Sequence, residues 1–147
     1  MIKRIELEGS ATPARAGQLR EKALRFLITS QWLQQEAAAR GAGVSPSEAE
    51  AFYEHLLRGP NGAQFAAGLK RRGLSRADEL LVLRVGELAE KLRAQITGPL
   101  HGPATPAELQ RVEAFIAAYR QRWKQRTSCE PGYVIAECRN GPPLPNR

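Results

Sequence analysis

Three segments of this chain set an acid three residues after a Ser or Thr at the head of an apolar-periodic stretch: Ser45-Pro46-Ser47-Glu48, Ser75-Arg76-Ala77-Asp78 and Thr105-Pro106-Ala107-Glu108. In this arrangement the hydroxyl accepts from the backbone three residues on, while the acid reaches back to the capping residue, so two orphan donors of a helix start are satisfied together. In two of the three a proline follows the cap, where its fixed φ and missing N–H cost nothing. Thr12-Pro13 supplies a fourth start. The stretches that follow are closed by Gly41-Ala42-Gly43, Gly59-Pro60-Asn61-Gly62, Gly73 and Thr97-Gly98-Pro99. A chain punctuated this way has little left from which to build a sheet.

The expected fold class is therefore all-α, a five-helix bundle. The helices run from Thr12-Pro13 to about Arg40, from Ser45 to the Gly59 cluster, over about residues 63–72, from Ser75 to Thr97, and from Thr105 to Arg126. Two short strand candidates lie near the ends, Ile5-Glu6-Leu7 and Tyr133-Val134-Ile135, and these can pair as a β bridge between the termini.

At 147 residues the chain has room for one domain, which would bury roughly 70% of the surface its unfolded form exposes. Residues 1–141 are expected to form it, with 1–11 an N-terminal strand or arm, 12–97 the first four helices, 98–104 a short connection, 105–126 the closing helix and 127–141 a cysteine-bearing tail. Residues 142–147 are expected to be a disordered Pro-rich end. No apolar run approaches the ~18 residues of a spanning helix, so no transmembrane segment is expected. The first nine residues lack the apolar stretch of a signal peptide.

The first helix carries Leu19, Ala23, Phe26, Leu27, Ser30, Leu33 and Ala37 at three- and four-residue steps, a face for burial. Beside it runs a second stripe, Leu24, Ile28 and Trp32. This extra apolar width is either an open binding surface or the sign of a helix buried on two sides. The fifth helix has Leu109, Val112, Ile116, Tyr119 and Trp123 as a seam that should lie on another helix. The cations around Lys124 stand at its C-terminal end, where the helix dipole favours them.

Catalytic chemistry finds no foothold. The two histidines, His55 and His101, have no nucleophile or carboxylate at a recognisable spacing, and no P-loop, dinucleotide fingerprint or serine elbow is present. No cofactor and no metal are expected. Cys129 and Cys138 are too few for a four-thiolate zinc site. They flank the turn-forming Glu130-Pro131-Gly132-Tyr133 and suit one local disulfide, two free buried thiols being the alternative.

A net charge of +7 favours acidic partners. Lys70-Arg71-Arg72-Gly73-Leu74-Ser75-Arg76 has the look of a helix-turn-helix. The helix that follows, however, carries Asp78, Glu79, Glu87 and Glu90 where a base-reading helix would show Arg, Asn or Gln. No nucleic-acid partner is expected.

Several blocks in order carry a family likeness. Phe26-Leu27-Ile28, Gln31-Trp32-Leu33 and Glu36-Ala37, then Gly43-Val44-Ser45 with Glu48, then Phe65 to Leu69, Gly73-Leu74-Ser75 with Asp78-Glu79-Leu80, and Arg84-Val85 to Lys91-Leu92 resemble the N-terminal helical module of the SurA and PrsA foldases. The run Trp123-Lys124-Gln125-Arg126-Thr127 with Cys129, Gly132-Tyr133-Val134 and Cys138 resembles the closing helix and cysteine-bearing tail of actinobacterial members. Gly98 to Pro106 stands where typical members carry a parvulin peptidyl-prolyl isomerase domain, so the catalytic part is absent.

The resemblance implies an extracytoplasmic, ATP-independent chaperone-like module for unfolded or partly folded secreted polypeptides, not an enzyme, with Cys129 and Cys138 bridged. The expected client-binding residues are Leu24, Ile28 and Trp32, with Phe52 and Phe65 as neighbours, and a homodimer is one state such a module can adopt. The alternatives are a structural or dimerising helical module, and a basic helix-turn-helix-like nucleic-acid-binding protein.

Overall fold

The computed structural model describes residues 12–99 and 102–146. Within them the chain is all-helical: α1 (Pro13–Ala39), α2 (Pro46–Arg58), α3 (Gly62–Arg72), α4 (Arg76–Thr97) and α5 (Pro106–Arg126). All three hydroxyl–acid motifs form reciprocal capping boxes, at Ser45/Glu48, Ser75/Asp78 and Thr105/Glu108. Thr12 caps α1 by accepting from the Arg15 N–H. At the end of α3, Gly73 takes φ +61° and returns its N–H to Leu69 O, a left-handed cap that a side chain would strain.

α4 is the central element, packed against α1, α2 and α5, while α3 packs on α2. The apolar core consists of Ala37, Ala42, Val44, Ala49, Leu88 and Leu92, with Leu33 against it. Small side chains dominate this list, so α1 and α2 approach α4 closely. Polar groups of α4 also grip the α1–α2 connection: Arg84 Nε donates to Val44 O (2.7 Å), Lys91 Nζ to Gly43 O (3.0 Å) and Gln95 to Arg40 O (3.2 Å). Each bond satisfies a carbonyl left over by the turn.

Two expectations about the ends are corrected. Tyr133-Val134-Ile135 forms no strand; it runs between turns, and no neighbouring strand among the described residues offers it a ladder. Its expected partner, Ile5-Glu6-Leu7, lies outside the described residues, as does His101. The Pro-rich end, expected to be disordered, lies against α5 instead: Lys124 Nζ holds Pro142 O (2.9 Å) and Arg120 holds Pro145 O (3.3 Å).

Candidate functional site

The residues after α5 fold back as a knot around one ammonium. Lys124, buried on the last turn of α5, donates to Ala136 O and Cys138 O (both 2.6 Å), to Pro142 O (2.9 Å) and to Gly141 O (3.4 Å). Gly141 is obligatory in this fold-back, because a Cβ there would collide with the Ile135 carbonyl. Cys129 and Cys138 form a disulfide, and Cys138 is fully buried. The knot is fastened to α1 by Glu137, which takes Arg25 Nε at 2.8 Å on one carboxylate oxygen while the other is buried without a hydrogen-bond partner. Arg20 stacks over the Tyr133 ring and donates to Gly132 O.

α1 and α5 meet through polar and aromatic groups. Glu36, buried on α1, accepts from Arg40 Nε (2.7 Å) and Arg122 (2.7 Å) on one oxygen and from the Trp123 indole N–H (2.8 Å) on the other. Burial pushes the Glu36 carboxyl up, but the hydrogen bonds from Arg40, Arg122 and Trp123 together outweigh it and bring the pKa down to about 2. Tyr119 sets its ring edge-on to Trp32 (6.3 Å between centroids) and stacks on Phe115. Burial, and then the nearby Glu36 charge, push the Tyr119 phenol up.

Above this joint α1, α4 and α5 diverge and leave an open groove of about 420 Å³. Phe26 and Leu33 of α1, Val85 of α4, and Ile116 and Tyr119 of α5 make its apolar wall, and Lys22, Arg25 and Arg120 stand at its rim. Ile116 is among the exposed large apolar side chains, together with Leu109, which is 51% exposed. Along the fifth-helix seam Trp32 and Glu36 cover the C-terminal end and Val112 is half-buried, while Leu109 and Ile116 stand exposed.

The expected client-binding set is not one surface. Trp32 is mostly buried, 3% exposed, with its indole N–H donating to Thr127 Oγ1 at 2.6 Å and its ring in an edge contact with Tyr119, and it lines both the groove and the neighbouring cleft. The second stripe at this level reflects a helix buried on two sides. Ile28 is half-buried and lines a second cleft of about 410 Å³ with Gln31, Gln35 and Thr127, which shares Trp32 with the groove. Leu24 is half-buried and lines neither cavity. Phe52 and Phe65 belong to the α2–α3 side, where Phe65 sets its ring against Tyr53.

Sequence reasoning assigned Phe26, Val85 and Ile116 to buried stripes. The signal that they form a groove lies in length: the α5 seam has more apolar turns than its partners cover. Glu36 and Lys124 carried only weak marks, an i,i+4 pairing with Arg40 and membership of a basic run.

Two of the four cations in the basic helix-turn-helix-like segment are engaged by carboxylates. Arg72 makes a two-bond pair with Glu79, and Arg76 pairs with Glu50 and Glu54 while lying over the Tyr53 ring. Among the described residues no group of three or more His, Cys, Asp or Glu is placed to hold a metal ion, and no helix is long and apolar enough to cross a membrane. Comparison with protein-family models, with curated proteins and with solved structures gives no match to this chain.

Proposed function

We propose that this chain is an ATP-independent holding module for unfolded or partly folded polypeptides in an oxidising, extracytoplasmic compartment, acting without isomerase catalysis. The observation that carries this reading is the groove between α1, α4 and α5, an open apolar wall on a helical frame with cations at its edge. Apolar surface of this kind captures side chains of a client that has not yet buried them. Each is worth ~1.5–3 kcal/mol when fully buried, so a few shallow contacts give weak binding that reverses without ATP. Lys22 and Arg120 favour acidic flanks on the client and speed its capture at low salt. The disulfide between Cys129 and Cys138 supports the choice of compartment.

The test is suppression of aggregation of a reduced model protein by wild type and by Ile116→Asp. Ile116 is 37% exposed, so the substitution alters the groove while sparing the core. Wild type at several-fold excess is expected to suppress aggregation, and the variant to lose most of that effect with unchanged helix content. A wild-type chain that leaves aggregation unchanged overturns the reading. One feature favours a second reading, a dimerising module: Leu109 and Ile116 expose apolar surface along α5. Sedimentation showing a dimer that Ile116→Asp dissociates would favour it.

A further inference from the structure

The last described residues lie along α5 beside the groove, and their chemistry says what that face accepts. Leu144, Pro145 and Asn146 line a pocket of about 530 Å³ with Ile116, Ala117 and Arg120 of α5. Ile116 and Arg120 also line the α1–α4–α5 groove, so the two recesses share a wall. What holds the segment there is donation from α5 to its carbonyls: Lys124 Nζ to Pro142 O at 2.9 Å and Arg120 to Pro145 O at 3.3 Å. These two cations sit one helical turn apart on α5.

A proline-bearing segment suits such a surface. In Pro142-Pro143-Leu144-Pro145 three of four residues have no N–H to leave unsatisfied, while every residue still offers a carbonyl. Prolines at 142 and 145 keep the three-residue repeat of an extended polyproline helix, which pays little ordering entropy on docking. Leu144, half-buried, is the one large apolar side chain the segment offers to α5.

We propose that residues 142–146 are a tethered occupant of the α5 face that borders the client groove, and that this face takes in trans an extended, proline-containing client segment with a leucine-sized side chain. The proposal rests on the holding function above and names its client class. Held on the chain itself, the tail competes at the millimolar effective concentration of a short tether and sets a threshold that weak ligands do not pass.

The experiment uses the full chain and a fluorescein-labelled peptide of the tail's own sequence, GPPLPNR, read by anisotropy. Leu144→Asp loosens the tail by removing the one large apolar side chain the segment offers to α5, and the new carboxylate gains little in return because Glu113 opposes Arg120 at the same pocket. The labelled peptide is expected to bind Leu144→Asp about tenfold more tightly than wild type. Adding Ile116→Asp to that variant should abolish the gain, and replacing the peptide's prolines by alanine should weaken it. Equal affinity for wild type and Leu144→Asp, or no binding to either, overturns the proposal. If wild type suppresses client aggregation and Leu144→Asp does so no better, the tethered-occupant inference fails while the holding function stands. If wild type does not suppress aggregation, it is the holding function that fails, and the inference that this face takes clients falls with it.

Discussion

The two sides of α4 are held together by different physics. On the α2–α3 side the interior is mainly apolar, Val44, Ala49, Leu88 and Leu92 with Ala37 of α1 against them, with one buried carboxylate, Glu79, held by Arg72, while Arg76 pairs with Glu50 and Glu54 at the surface. On the α1–α5 side the buried groups are Glu36, Lys124 and Glu137, a disulfide and two indoles that both donate hydrogen bonds. Apolar burial is indifferent to pH and redox state, whereas buried charge and a disulfide bind the fold to both. The half that carries the groove, with three buried charges and the disulfide against one buried carboxylate, is therefore the more conditional half.

Both tryptophans of the chain, Trp32 and Trp123, lie in this conditional half, so their fluorescence reports it while far-UV circular dichroism reports every helix. The largest effect is expected from Lys124→Met. It strands the Ala136 and Cys138 carbonyls that the ammonium holds at 2.6 Å, at a cost of roughly 3–5 kcal/mol. In a urea titration the fluorescence transition should move to lower denaturant well ahead of the circular dichroism transition. Coincident shifts would mean the two halves unfold as one unit and the contrast is only descriptive.

Reduction of the disulfide comes next. Cys129 and Cys138 are nine residues apart, for which chain entropy gives about 2.5 kcal/mol. Excess dithiol should lower the stability read by fluorescence by that order, and wild type under reductant should match Cys129→Ser/Cys138→Ser. An unchanged midpoint would show that the Lys124 cluster alone keeps the tail folded.

The smallest effect is the acid response of Glu36. Its folded pKa lies near 2, below the ordinary value of 4.5, so the stability it contributes is fully present above about pH 4.5 and is lost as pH falls toward 2. Arg40 and Arg122 are each more than a third exposed, so solvent screening reduces that contribution to about 1–2 kcal/mol. The stability gap between wild type and Glu36→Gln should close between pH 5 and pH 2.5. A gap that stays constant across that range would assign Glu36 a packing role.

Legibility followed the same division. The capping boxes and glycine stops are local chemistry, written within four residues, and they located all five helices. The core face of α1 was legible at Ala23, Ser30 and Ala37 because helical periodicity is also local. Trp32 was not, since its partners Thr127 and Tyr119 lie about ninety residues away and an apolar stripe looks the same whether solvent or another helix covers it. Lys124 in a basic run reads as a solvated cation, and only the fold-back of the tail makes it a buried one. The docked Pro142–Pro145 stretch was hidden by its composition, which has no means of forming regular structure alone and needs α5 to fix it.

The separations recorded across the α1 joint have a consequence for how the molecule is made. Arg25 meets Glu137 across 112 residues and Trp32 meets Thr127 across 95. During synthesis α1 emerges about ninety residues ahead of the groups that cover its second side, so for that interval Trp32 and Glu36 stand without their partners. Such a chain exposes an indole and a carboxylate that the finished protein buries, which marks it for aggregation or degradation. Until the cysteine-bearing segment closes on α1, the emerging chain resembles the unfolded polypeptides that the folded molecule is proposed to hold.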